Sequence, residues 1–288
     1  MTAPDAAVGP TARRIVVGAQ LRRLREAAGV SREDAGYHVR GSASKISRME
    51  LGRVGFKERD IADLLTLYGV LDEAQREPLL ALARDSRSDG WWHRYDDVLE
   101  SWFGTYVGLE EAATTIRAYE VQFVPGLLQT AEYARGVVVS GLPETAPAEV
   151  DRRVKLRLER QRILDRVPPA TYWVVMDEAA LRRPVGGRAV MQGQLKHLLE
   201  LSERPNITLQ VMPLRRGTHT ADGGSFSMLR FADPDIPDIV YVEQLVSALY
   251  MDKPEHVERY RQAMERLTVA ALSPADTTDF LTKLRISG

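Results

Sequence analysis

The 288-residue chain has no cysteine. That excludes disulfides, zinc–thiolate centres and cysteine nucleophiles, and it fits a reducing compartment. No apolar run approaches the roughly 20 residues needed to span a bilayer. The first residues, MTAPDAAVGPTARRIVVGA, place their arginines after the small-residue stretch rather than before it, so neither a signal peptide nor a membrane segment is expected. Repeats and low-complexity tracts are missing as well. So are three catalytic signatures, H-E-x-x-H, G-x-S-x-G and G-x-G-x-x-G. The five histidines, His38, His93, His197, His219 and His256, are scattered, and no nucleophile stands beside a visible base. The sequence reads as a non-enzyme without cofactor or metal.

Net charge is also nearly absent, at -1, but it is unevenly spread. Residues 1–59 hold 12 Lys and Arg against 6 Asp and Glu, which leaves 27 against 34 for the remainder. A basic head on an acidic body suits a polyanion partner. At 44% hydrophobic and 27% charged residues, the composition is that of a folded chain, and the length allows two domains.

The head shows helical periodicity throughout. Val17, Leu21, Leu24 and Ala28 step by four and three, and Gly29 ends that helix. Ser31 and Asp34 form a capping box for a short second helix through Val39. Gly41 breaks it, Ser42 caps a third helix with Ile46 and Met49 on its apolar edge, and Gly52 ends it. A fourth helix carries Ile61, Leu64, Leu65 and Tyr68 up to Gly69. A fifth starts at Asp72, and Pro78 is expected to kink or restart it. The polar run DSRSDG, residues 85–90, is read as a linker between an all-α domain at 11–84 and a mixed α/β domain at 91–288.

In that second part, TTIRAYEV, YWVVMDE, ITLQVMP, SFSMLRF and DIVYVE predict five strands. Helices are predicted from Thr130 to Gly141, Pro147 to Arg166, Arg188 to Glu203, Pro254 to Leu272 and Pro274 to Leu284. Arg152, Arg153, Lys155, Arg157, Arg160 and Arg162 give the helix after Pro147 a cationic face, read as solvated or as an auxiliary phosphate contact. EVQFVPGLLQT reads as a core corner or a docking surface. RRGTHTADGGSF reads as a loop in which His219 is either a plain exposed residue or a pH-sensitive one.

Two short helices joined at Gly41, with small Ala35 inside the first, have the form of a helix-turn-helix. With Ile46 and Met49 inward, Ala43, Ser44, Ser47 and Arg48 are left on the face that can enter a major groove about 12 Å wide. Arginine can bond guanine O6 and N7 together, serine can bond several base edges, and an alanine methyl can meet thymine. These four residues are the candidate base contacts, Arg48 foremost. Ser31, Arg32, Ser42, Lys45, Arg53 and Lys57 are the candidate phosphate contacts. The competing reading is a solvated helical corner or a protein-docking bundle.

The segment LRRLREAAGVSREDAGYHVRGSASKISRMELGRVGF resembles the Cro/C1 repressor-type, lambda-repressor-like helix-turn-helix of the xenobiotic-response-element (XRE) family, with its S-x-I-S-R-x-E-x-G recognition segment. It departs from the usual pattern at Gly36 and Tyr37, where an apolar pair is commoner, and this is expected to loosen helix two. The resemblance implies that Glu50 bridges a first-helix arginine, Arg22 or Arg25. From GWWHRYDDVLESWF through RRPVGG, LQVMP and PDIVYVE to ALSPADT, the remainder resembles the DUF5753 (Scr1-type) domain attached to such heads in actinobacteria. That implies a WhiJ-like, developmental type of transcription regulator, cytoplasmic and nucleoid-associated, paired with a small DUF397/BldB-like partner protein in an antitoxin-like arrangement. Because one head discriminates poorly, a homodimer on two half-sites about 34 Å apart is expected. The alternatives are a module that sequesters a small partner, or an enzyme tethered to DNA.

Overall fold

The computed structural model of the chain describes residues 10–86, 90–218, 220–221, 223–233 and 236–287. The chain falls into two compact units, one of residues 1–94, 104–112 and 231–237 and one of residues 95–103, 113–230 and 238–288.

The first unit is helical. Its leading elements are α1 (Pro10–Ala27), α2 (Arg32–His38), α3 (Ala43–Glu50), α4 (Glu58–Leu67) and α5 (Glu73–Asp85). Ser31 accepts the Asp34 amide at 3.0 Å and Ser42 the Lys45 amide at 3.2 Å, as the capping pattern predicted. Pro78 lies inside α5 without restarting it, so the neighbouring turns carry the helix past one missing donor. Val17, Leu21, Ala35, Ile46, Met49, Ile61, Leu64, Leu65 and Leu80 share one core. Helices this short are stable only through that shared burial. α6 (Ser101–Ala112) contributes its part from Gly104 onward to this unit.

The second unit is built on six strands among the described residues. They are β1 (Thr115–Glu120), β2 (Thr171–Asp177), β3 (Ile207–Met212), β4 (Phe226–Arg230), β5 (Ile239–Glu243) and β6 (Ala248–Met251), in the order β3-β2-β1-β4-β5-β6. β1, β2 and β3 run parallel, whereas β4, β5 and β6 continue antiparallel from β1. The parallel half needs crossovers. These are α7 (Ala131–Gly141) and α8 (Pro147–Arg160), then α9 (Glu178–Arg182) and α10 (Arg188–Ser202). α11 (Pro254–Ala270) and α12 (Pro274–Ser287) end the chain.

Tyr119, Val175, Met212, Phe226, Met228, Val240 and Val242 form the sheet's share of a core completed by Met264 and Leu267 of α11. Ala134, Val138, Val150 and Val154 join α7 to α8. The strand β6 was not predicted. The helix after Pro147 ends at Arg160, where a 3-10 turn through Leu164 replaces the expected continuation to Arg166. EVQFVPGLLQT is a core corner, with Val124, Leu127 and Leu128 buried. His219 lies outside the described residues.

Candidate nucleic-acid interface

The position of α3 is set by close backbone approaches. A Cβ on Gly18 of α1 would lie 2.5 Å from the Met49 carbonyl oxygen. One on Gly36 of α2 would lie 2.6 Å from the Ser42 carbonyl carbon. Gly36 is therefore not a loosening of helix two, as its departure from the family pattern suggested; it is buried, and it lets α2 meet the start of α3.

α1, α2, α3 and α4 end in the same backbone motif, with a left-handed residue just past the cap. Gly29, Gly52 and Gly69 fill that place after α1, α3 and α4. After α2 it is filled by Arg40, at φ 51°. The bonds are intact there: Gly41 N–H donates to Gly36 C=O at 2.8 Å and Arg40 N–H to Tyr37 C=O at 3.1 Å. A side chain in this region costs about 1 kcal/mol, so the turn holds Arg40 where a glycine would sit more easily. Arg40, with Tyr37, His38 and Gly41, lines an open concavity beside the α2–α3 turn. Sequence reasoning did not single out Arg40; only its place after the second helix could have done so.

A buried charge network ties the motif to α1. Arg25 Nε donates to Glu50 Oε1 at 2.5 Å and Nη2 to Oε2 at 3.3 Å, with the side chains 9% and 2% exposed. Arg25 Nη1 also donates to the Val30 carbonyl at 2.9 Å. Arg32 Nε reaches Glu50 Oε2 at 3.0 Å. Of the two partners implied for Glu50, Arg25 is the one engaged, and Arg32 joins it. Burial alone would lower the Arg25 pKa, but the hydrogen bond and charge of Glu50 outweigh it and hold it above its ordinary value. Next to this pair, the buried Tyr68 hydroxyl has no hydrogen-bond partner among the described residues. Burial and the Glu50 charge push its pKa up to about 12.

The face of α3 divides as the periodicity requires. Ile46 and Met49 are 1% and 2% exposed. Ser44 and Arg48 are exposed, and Ala43 and Ser47 are partly so. The Arg48 side chain has no hydrogen bond or ion pair among the described residues. The amides of Ala43 and Ser44 in the first turn lack helical partners and can meet an anion.

The candidate phosphate contacts are less uniform. Lys57 is exposed at the start of α4, and Arg53 is partly buried in the loop before it. Lys45 Nζ is bonded to Asp60 at 2.6 Å, and Arg32 commits Nε to Glu50. The Ser31 and Ser42 hydroxyls are occupied as helix caps, and Ser31 also donates to Asp34 at 2.7 Å. A phosphate would have to share or displace these partners.

The cationic face read on α8 is not simply solvated. Arg160 is buried and Arg157 partly buried, whereas Lys155 and Arg162 are exposed. Arg152 pairs with Asp97 at 2.6 Å and Arg153 with Glu149 at 2.8 Å. The apolar period of α8 runs through Val150, Val154 and Leu156, so the residues between them necessarily turn partly inward. Among the described residues no cluster of three His, Asp or Glu side chains is placed to hold a metal, and no helix is long and apolar enough to cross a membrane.

A family model described as a helix-turn-helix domain matches residues 16–79. A second, described as a domain of unknown function (DUF5753), matches residues 103–283. No curated protein and no solved structure matches the chain.

Proposed function

The chain belongs to the DUF5753 family and carries a helix-turn-helix head, and from that premise we propose that it is a sequence-specific DNA-binding transcription regulator whose body receives the regulating signal. The carrying observation is Arg48: an exposed guanidinium without a partner among the described residues, on the side of α3 opposite buried Ile46 and Met49. In this reading residues 11–84 bind DNA, 85–90 link, and 91–288 regulate without catalysing a reaction. Ala43, Ser44, Ser47 and Arg48 meet base edges. Ser31, Arg32, Ser42, Lys45, Arg53 and Lys57 meet phosphates, which set register but carry no sequence information.

A single head buries too little surface to discriminate well, so the chain acts as a homodimer on two half-sites about 34 Å apart. Effector binding to the body must favour one arrangement of the two heads over another to have any effect. The partner-protein reading has one specific support. Leu245 and Val246, 96% and 81% exposed, sit with exposed Leu249 on the β5–β6 hairpin, and clustered apolar exposure of this kind marks protein contact. A small DUF397/BldB-like protein fits that role.

The test is duplex affinity against salt. With about seven phosphates contacted, the log–log slope is roughly minus six. Arg48→Ala costs about 1–3 kcal/mol on the preferred site and leaves nonspecific binding nearly intact, while Lys57→Ala weakens all sequences alike. Equal losses from the two changes on every sequence overturn the division of roles. A small partner that copurifies at high salt, with no preferred DNA, overturns the regulator in favour of a sequestering module.

A further inference from the structure

The registers of the sheet bring three polar residues into one row. Tyr119 pairs with Phe226, and Ser227 with Tyr241. Continued toward the same end of the sheet, these registers set Glu120 opposite Ser225, and Ser225 opposite Glu243. The Ser225 hydroxyl bonds the Glu120 carboxylate and accepts the Val121 amide at 3.2 Å. Tyr119, Phe226 and Val242 point into the α11 core. By strand alternation Glu120, Ser225 and Glu243 point to the opposite face, where the charge of Arg160 on α8 acts on Glu120 and that of Glu243 acts on Arg157.

The guanidiniums are seated with care. Arg160 lies over the Phe103 ring at 4.8 Å, and its Nη1 lies 3.4 Å from where a Cβ on Gly126 would be. Arg157 Nη1 donates to Gln129 Oε1 at 3.1 Å. Gln129 is itself buried and fixed by its bond to the Val124 carbonyl at 2.7 Å. Among the described residues, that neutral amide oxygen is the only partner of the Arg157 side chain, and no carboxylate lies within ion-pair distance of it.

Arg25 provides the contrast. Buried against Glu50, it has its charge stabilised, as a structural pair should. Arg157 is driven the other way, down to about 10, by burial and then by the charge of Arg160. Glu120 is driven up to about 7, by burial first and with a further push from Glu243. A partly buried cation and a partly buried carboxyl, each sheltered enough to be pushed toward neutrality and neither in an ion pair among the described residues, are opposite charges held apart rather than paired. Such an arrangement costs stability unless something else completes it, and charges perturbed in this way mark binding sites.

We propose that Arg157, Gln129, Glu120 and Glu243 form a binding site for a small molecule that carries a carboxylate or phosphate group and, a few bonds away, a cationic or hydroxyl hydrogen-bond donor. The anionic group takes the unused N–H donors of Arg157, and the donor faces Glu120 and Glu243. The site rests on the reading of the body as the regulatory part only for its biological meaning, since its chemistry stands without the head.

Thermal unfolding of the full chain tests it, with two probes at fixed ionic strength: inorganic phosphate, and O-phosphoethanolamine, which adds an ammonium group. Both are expected to raise the unfolding midpoint saturably, relative to chloride, and phosphoethanolamine at lower concentration. Arg157→Gln abolishes both shifts, and in chloride it unfolds at the same or a higher temperature than the parent. Glu120→Gln removes only the advantage of phosphoethanolamine. The double variant Arg48→Ala/Lys57→Ala keeps both shifts, which separates this site from anion binding by the head.

No saturable shift, a shift that survives Arg157→Gln, or an Arg157→Gln chain that unfolds several degrees lower in chloride each overturns the proposal, the last by showing a structural role. DNA affinity measured in the same solutions keeps the two ideas apart. A shift without any preferred DNA sequence defeats the regulator and leaves the site standing; sequence-specific DNA binding without a shift does the reverse.

Discussion

Replacing Glu50 by alanine tests how the recognition helix is held. The carboxylate is nearly inaccessible and takes two bonds from Arg25 and one from Arg32. Its removal leaves Arg25 in a buried place with the Val30 carbonyl and a longer bond to the half-exposed Glu26. Removing one partner of a buried pair costs about 3–5 kcal/mol, because the other charge is left without compensation. The bonds that Arg25 retains place the expected loss near the lower end, at about 3 kcal/mol. The double change Arg25→Met/Glu50→Leu removes both charges and replaces them with apolar volume, so it should cost far less than Glu50→Ala alone. Urea unfolding of the full chain by circular dichroism, with Arg25→Met and Glu50→Leu singly completing the cycle, measures all of these. Glu50→Ala should also weaken DNA binding, since Arg25 and Arg32 reach Glu50 from α1 and α2. A loss under about 1 kcal/mol for Glu50→Ala, or a double variant as unstable as the single ones combined, would refute the reasoning.

Other outcomes follow from local chemistry. Arg40→Gly relieves a left-handed backbone position at φ 51° and should stabilise the head by up to about 1 kcal/mol in urea unfolding, provided the turn bonds outweigh the extra freedom of glycine in the unfolded chain. Tyr68→Phe removes a buried hydroxyl with no partner among the described residues, so it should be neutral or slightly stabilising in the same assay. Glu120 sets a pH window. In the unfolded chain it ionises near 4.5 and in the folded chain near 7. Between these values the folded state keeps a proton that the unfolded state has released, so its contribution to stability falls as pH rises through the window and levels off above it. Glu120→Gln should flatten that fall, which is of order 1–3 kcal/mol, in unfolding measured at pH 5 and pH 8.

The head was legible because each of its signals is local. Serine caps, glycine stops and the pair Ile46 and Met49 lie within a turn or two of what they control. The missed elements lack such signals. In α6, Tyr106, Val107, Leu109 and Glu110 are all buried, so no amphipathic period shows. β6 is four residues at an edge, three of them only partly buried, without clear alternation. The polar row of Glu120, Ser225 and Glu243 could not be read at all, since these residues come from three separate strands or strand ends and meet only through register. The cationic pattern of α8 was visible, but which arginines turn inward depends on packing against the loop around Gly126 and Gln129. For the DNA-facing residues, the sequence indicated the outward side of α3; that Lys45 is tied to Asp60 and Arg32 to Glu50 became visible only in three dimensions.

The central claim, that the outward face of α3 reads a base sequence, is tested most directly by selecting duplex fragments with the full chain from the genome that encodes it, at near-physiological salt, beside an Arg48→Ala chain. The account predicts that the parent enriches two-fold related half-sites about one helical turn apart and that the variant loses this preference while still retaining DNA nonspecifically. Enrichment of no sequence by the parent, or of the same sequence equally well by the variant, would contradict it.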